Sequence, residues 1–265
     1  MDKGRTFRAL HDATFVMPNP SDLGTARLIE HLGFKAIATS SAGYAFSRGL
    51  PDGGVRFDEM IAHCREMVAA VGIPVSADLE KGKGDSPESA AETIFAAEAA
   101  GLAGCSIEDF SGHPDRPIYA FEHAVERVRA AAEAARALKH DFVFTARTEN
   151  FLHGRADLDD TIRRLQHFAE AGADVLFAPG VSDPQMLKTI CRAVGKPVSM
   201  IAPGDQSIAS LAAIGIRRIS TGPRLTQAMF AAFDDAAREI LDKGTFTFIK
   251  GVAPFGPLQA LFAGK

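Results

Sequence analysis

The sequence predicts a (β/α)₈ barrel of the TIM type, and three observations carry that expectation. Short β-rich runs ending in polar residues alternate with Ala- and Leu-rich stretches of helical period, the pattern of a parallel sheet wrapped by helices. The alternation gives eight strands and eight helices in strict order, and no Gly-x-Gly-x-x-Gly follows the first strand, which favours a closed barrel over an open doubly wound sheet. The length of 265 residues suits one such domain spanning residues 1–265, without linker, low-complexity tract or repeat beyond the βα unit.

Taken in order, Arg5–His11 is expected as a short helix capping the barrel bottom. Strands are predicted over Thr14–Met17, Ala36–Ser40, Pro74–Leu79, Gly104–Glu108, Phe142–Thr148, Val175–Ala178, Val198–Ile201 and Arg218–Thr221. Helices are predicted to begin near Asp22, Phe57, Pro87, Phe121, Asp157, Asp183, Ser207 and Leu225. Ser86 before Pro87 gives an N-cap followed by proline in the first turn. Gly33, Gly72, Gly101 and Gly172 each follow a helical run, where a left-handed residue closes a helix. Beyond the eighth helix lies an extra C-terminal apolar segment, Lys250–Gly264, carrying Val252, Phe255, Leu258, Leu261 and Phe262. A tail that apolar has to bury itself on its own barrel or on a partner.

The composition narrows the function. Apolar residues make up 46% and charged residues 23%, with a net charge of −4, so neither a nucleic-acid footprint nor a basic membrane-facing surface is expected. The charged start Met1-Asp2-Lys3-Gly4-Arg5 leads into no long apolar run, so neither a signal peptide nor a membrane span is expected. Three cysteines, Cys64, Cys105 and Cys191, are too few and scattered for a disulfide framework or zinc site, which fits a reducing cytoplasm.

Barrels of this type place active sites at the C-terminal ends of their strands, and strand residues two apart share a face. Ser76 pairs with Asp78 in this way, Ser106 with Glu108, and Thr145 with Arg147. If all three sets point inward, Asp78, Glu108 and Arg147 converge at the mouth. Two carboxylates beside an arginine suit a Mg²⁺ site holding an anionic ligand, because Mg²⁺ takes few protein carboxylates and keeps water or substrate oxygens. The same charges could equally form strand-end salt bridges.

At these residues the chain resembles the isocitrate lyase/phosphoenolpyruvate mutase superfamily along nearly its whole length. The segments that carry the resemblance are Met17-Pro18-Asn19-Pro20-Ser21-Asp22, Ala38-Thr39-Ser40-Ser41-Ala42-Gly43, Gly49-Leu50-Pro51-Asp52, Ser76-Ala77-Asp78, Ser106-Ile107-Glu108-Asp109 and Ala146-Arg147-Thr148. The resemblance implies Asp78 as main metal ligand, Glu108 as a carboxylate holding the metal through water, and Asp52 as a further acidic residue beside it. It also implies Arg147 as the anchor of a substrate carboxylate, and a turn of Ser40, Ser41, Ala42 and Gly43 gripping a 2-oxo acid. The cofactor so implied is Mg²⁺, with Mn²⁺ as its substitute. The function so implied is that of a lyase that cleaves or forms a C–C bond in a small oxo or hydroxy carboxylate through an enolpyruvate-like enolate. The alternatives are P–C bond chemistry of the mutase or phosphonopyruvate hydrolase type, and a non-catalytic barrel that binds oxo acids.

Several positions depart from the family pattern. The usual Asp-x-Asp of the third strand is Ser76-Ala77-Asp78, and Glu80-Lys81-Gly82-Lys83-Gly84 replaces a less basic glycine loop. The lyases' Cys-Gly-His segment after the fourth strand is Phe110-Ser111-Gly112-His113-Pro114 here. His113 then becomes the candidate acid/base, on a candidate lid loop Ser111–Tyr119. The cysteines are expected as packing residues, and Arg127, Arg129 and the Arg163-Arg164 pair as solvated helix faces. Relatives form dimers or tetramers by exchanging a terminal helix, so the tail implies a homodimer or homotetramer.

Overall fold

The structure, a computed structural model, describes residues 2–263. A first helix, α1 (Lys3–Leu10), precedes β1 (Phe15–Met17), α2 (Leu23–His31), β2 (Ile37–Ala38), α3 (Ser41–Ser47) and α4 (Phe57–Ala70). Next come β3 (Val75–Asp78), α5 (Pro87–Ala99), β4 (Gly104–Glu108), α6 (Phe121–Ala137), β5 (Val143–Arg147) and α7 (Leu158–Ala171). The barrel finishes with β6 (Val175–Phe177), α8 (Pro184–Val194), β7 (Val198–Ile201), α9 (Ile208–Ile214), β8 (Ile216–Ser220) and α10 (Arg224–Arg238). A π turn (Glu239–Lys243), a 3₁₀ turn (Thr247–Gly251) and α11 (Phe255–Ala263) follow.

The strands form one parallel sheet in the order β1-β8-β7-β6-β5-β4-β3-β2. No ladder joins β1 to β2. The barrel closes there through Ala38 N–H to Pro18 O at 3.1 Å and the Asn19 side-chain amide to Thr39 O at 2.9 Å. Asn19 Oδ1 also accepts from Thr221 N and Gly222 N, both at 2.9 Å, so one buried amide ties the ends of three strands. This is the predicted (β/α)₈ architecture.

Period-two alternation divides the core. Outward residues such as Ile37, Cys105, Phe144, Leu176 and Ile216 pack against the helices. Inward residues Met17, Ala36, Ala38, Ala103, Val143 and Val175 meet Phe7 inside the barrel. Helix α1 closes the bottom as expected. Its approach to the β5 entry requires glycine at position 4, because a Cβ there would sit 1.6 Å from Asp141 O.

Three expectations need correction. Gly33, Gly101 and Gly172 take positive φ, but Gly72 does not. Val71 leaves α4 in extended conformation, and Gly72 N–H donates to Glu30 Oε1 at 2.6 Å instead. Arg127 and Arg164, expected on solvated faces, are each 2% exposed. Arg127 donates to the carbonyls of Lys81, Gly84 and Ser86, while Arg164 pairs with Asp109 and Asp160. Ser41, Ala42 and Gly43, expected with Ser40 to form a turn, instead begin helix α3, whose N-cap Ser40 accepts from Gly43 N.

The eighth barrel helix is unusual. Thr226 is the one buried residue of α10, and Met229, Phe230 and Phe233 are exposed. Phe246, Ile249, Val252 and Phe255 of the tail are exposed as well, and α11 touches α2, with Phe262 under Arg27. Gly264 and Lys265 of the predicted tail lie outside the described residues.

Candidate active site

A cavity of about 360 Å³ opens at the C-terminal ends of the strands. Its walls come from residues of all eight strands and the loops that follow them, among them Asn19, Ser41, Asp78, Ser106, Arg147 and Arg218. Strand alternation turns Asp78, Glu108 and Arg147 to one place, as expected. Arg147 Nη1 lies 3.1 Å from Asp78 Oδ1, its Nη2 3.2 Å from Glu108 Oε2, and its Nε 2.5 Å from Glu149 Oε1. The guanidinium also stacks under Phe177. Ser41 donates its hydroxyl to Asp78 Oδ2 at 2.9 Å.

The cluster is short of positive charge. Burial pushes the Glu108 carboxyl well up, and Glu149, Asp78 and Glu80 add to the effect against the opposing charge of Arg147. Glu80 is pushed up to about 7 by burial, then by Asp78 and Asp52. Asp52, at the exposed rim of the cavity, is raised by burial and by Asp78. Glu108 Oε2, although close to Arg147, makes no hydrogen bond in its buried position. Carboxylates crowding a single guanidinium, one of them with an orphaned oxygen, are a fitting donor set for a divalent cation. Among the described residues no three His, Cys, Asp or Glu side chains converge tightly enough to enclose a metal. An ion there would keep open positions for water or substrate, as Mg²⁺ prefers.

Ser40, Ser41 and Ala42 line the cavity and Gly43 does not. Gly43 sits behind it, where a Cβ would come within 3.0 Å of Thr226 Oγ1, so its role is to let α3 approach α10. His113 is also absent from the cavity wall. Its ring is exposed and lies 3.9 Å from Asp85. The reason is local: Ser111 Oγ accepts from His113 N, Ser111 N–H donates to Pro117 O, and Lys81 reaches Ser111 O, folding the loop onto itself beside α5. The Ser111–Tyr119 segment therefore stands beside the mouth in this conformation. The cysteines pack as expected, with burial pushing Cys64 up to about 12 and Cys191 to about 11.

Sequence reasoning missed Glu149, Arg218 and the α10 residues Arg224 and Gln227 that line the cavity. Glu149 lies beyond the end of β5, where alternation no longer predicts direction, but it is an acid two residues from an inward arginine. It also lies 3.6 Å from His153, which stacks on Phe110.

Fold and site define a TIM barrel with an acidic, arginine-centred mouth. The profile of the family described as phosphoenolpyruvate phosphomutase matches residues 7–241. The 2-methylisocitrate lyase of Escherichia coli K12 is 33% identical over 209 residues, covering 74% of this chain and 68% of its own. The phosphoenolpyruvate phosphomutase of Streptomyces hygroscopicus is 30% identical over 256 residues, covering 90% of this chain and 80% of its own. Among solved structures, a Burkholderia cenocepacia J2315 protein provisionally described as a lyase/mutase superposes with TM-score 0.97 at 50% identity, covering 99% of this chain and 96% of its own. The chain belongs to the phosphoenolpyruvate phosphomutase family, within the isocitrate lyase/phosphoenolpyruvate mutase superfamily.

Proposed function

We propose that the protein is a Mg²⁺-dependent lyase that breaks or forms a C–C bond in a small 2-oxo or 2-hydroxy carboxylate through an enolpyruvate-like enolate. The observation that carries this reading is the Arg147 guanidinium, locked at the cavity by Asp78, Glu108 and Glu149. Asp78 and Glu108 would hold the cation, with Asp52 at the rim. Bound there, Mg²⁺ supplies fixed positive charge for the oxygen on which the enolate's charge develops. Arg147 anchors the substrate carboxylate in a bidentate fashion that lysine could not match. Ser41 fixes the Asp78 rotamer, and Ser40 and Ala42 present polar groups to the oxo-acid end.

The protonation step separates this chain from its lyase relatives. No cysteine lies in the loop that follows Glu108, and His113 is not part of the cavity wall, so isocitrate and methylisocitrate are expected to be poor substrates. A missing positioned acid costs about two to four orders of magnitude in rate. P–C bond chemistry is the second reading, favoured by the phosphomutase relative that matches 90% of this chain.

The test pairs oxalate, a planar mimic of the enolate, with turnover. Calorimetry should show oxalate binding only with Mg²⁺ or Mn²⁺, and glyoxylate release from isocitrate should be near background. Absence of metal-dependent oxalate binding would remove the reading. Oxalate binding without turnover of any 2-oxo or 2-hydroxy acid would favour a binding barrel.

The exposed apolar faces of α10 and the tail support a homodimer or homotetramer built by exchange of these terminal helices.

A further inference from the structure

Arg218 is the exception among the buried guanidiniums. Arg147 and Arg164 meet carboxylates, and Arg127 meets three carbonyls. Arg218 is 3% exposed, donates Nε to Ser199 Oγ at 3.0 Å, and has no carboxylate in ion-pairing reach among the described residues. Its Nη1 has no hydrogen-bond partner. A buried charge without a counter-charge is strongly disfavoured. Such a group persists where a ligand completes it.

A register shift in the backbone aims this side chain. Val198 pairs with Ile216, but Ser199 pairs with Arg218, so β8 carries one extra residue at Arg217. Ile216 and Ile219 both face the helices. Unbroken alternation from Ile216 would have turned Arg217 inward; the bulge turns Arg218 inward instead, in phase with Ser199 and Ser220. Bulges re-aim side chains in this way beside active sites. The registers Arg147↔Phe177, Phe177↔Ser199 and Ser199↔Arg218 place both arginines on the inner face, three strands apart around the barrel. Both line the same cavity, and Ser76, Ser106, Ser199 and Ser220 line it with them.

We propose that Arg218, with the hydroxyl of Ser199, forms a second anion subsite that takes the distal carboxylate of a 2-oxo dicarboxylate whose oxo-acid end lies at Arg147. The assignment rests on the reading of the Arg147 end given above. It makes the substrate a dianion bridging two walls of the barrel, with Arg218 selecting against monocarboxylates of equal length. Burial draws the Arg218 pKa down to about 9, still above neutrality, so the cation is present when the ligand arrives. Below it, His11 holds Phe7 O through Nδ1 and leaves Nε2 unpartnered, so an ordered water linking the two residues is the competing occupant.

Affinities in Mg²⁺ are measured for oxaloacetate against 2-oxobutyrate and for 2-oxoglutarate against 2-oxovalerate, pairs that differ only in the distal carboxylate, with oxalate as reference. The native protein should favour at least one dicarboxylate over its partner by about 10- to 100-fold, the range of a desolvated charge-assisted contact. Arg218→Gln should collapse that ratio towards one while oxalate affinity stays the same, and Arg218→Lys should keep part of it. Should Arg218→Gln fail to fold, Ser199→Ala and Arg218→Lys, each expected to lower the same ratio several-fold, decide the matter. A native ratio near one, or one unmoved by the variants, would show that Arg218 serves only interior water and would overturn the proposal. Loss of oxalate binding in the native protein would instead strike the Arg147 reading.

Discussion

Ser41 donates to Asp78 Oδ2 at 2.9 Å while Arg147 holds Asp78 Oδ1 at 3.1 Å, so both oxygens of one carboxylate are fixed from opposite sides. Asp78 is therefore oriented before any cation arrives. Asp78→Ala should abolish Mg²⁺ binding and leave the fold intact, since the residue lies at the mouth and outside both apolar clusters. Ser41→Ala should weaken Mg²⁺ by about tenfold, the usual scale for a partner that orients a ligand. Calorimetric titration with Mg²⁺ and oxalate checks both, and unchanged affinity in Asp78→Ala would remove that residue from the site.

Arg147 holds together three acids that repel one another. Arg147→Met should destabilise the metal-free protein by about 3–5 kcal/mol, the range for breaking a buried ion pair from one side. Mg²⁺ should restore part of that loss by replacing the missing positive charge. Urea unfolding in EDTA and in excess Mg²⁺ measures both effects; equal stability of variant and native protein in EDTA would contradict the charge argument.

The exposed faces of α10 and the tail lead to a prediction about assembly. Deleting residues 250–265 should shift the protein towards monomer and lower its melting temperature. Light scattering that finds one oligomeric state before and after truncation would sink the exchange of terminal helices.

Two buried histidines make the fold acid-sensitive. His11 and His63 are each lowered from 6.5 to about 4, chiefly by burial, with the charge of Arg218 adding to the effect at His11. The folded pKa lies below the unfolded one, so the unfolded chain binds more protons in between. Stability is therefore fully present above about pH 6.5 and is lost as pH falls towards 4, on the order of 3 kcal/mol per group. His63→Phe, which keeps a ring stacked on Tyr44, should flatten the slope in that window. Chemical unfolding across pH 4–7 in EDTA is the measurement, and an unaltered slope would refute the assignment to His63.

The mouth was legible because strand alternation is rigid. Once Gly104–Glu108 and Val143–Arg147 are strands, Glu108 and Arg147 have to share a face, and their register makes them neighbours. Helical phase could have found Arg127 and Arg164. Arg127 stands three residues after Ala124 and four before Ala131, and Arg164 three after Thr161 and four before Phe168, all of them buried. Their charge misled the reading, because a guanidinium that can reach carbonyls or carboxylates tolerates burial. Arg218 was missed although it shares a face with Ser220, because the extra residue Arg217 breaks period two between Ile216 and Ile219. His113 was misplaced because hydrogen bonds within its own loop decide where the ring goes, and spacing carries no record of them.

Helix α10 begins at the cavity and ends on the surface. Arg224 and Gln227 of its first turns belong to the cavity wall, while Phe230 and Phe233 farther along face outward. One continuous helix therefore spans from the polar wall of the cavity to an apolar face at the surface.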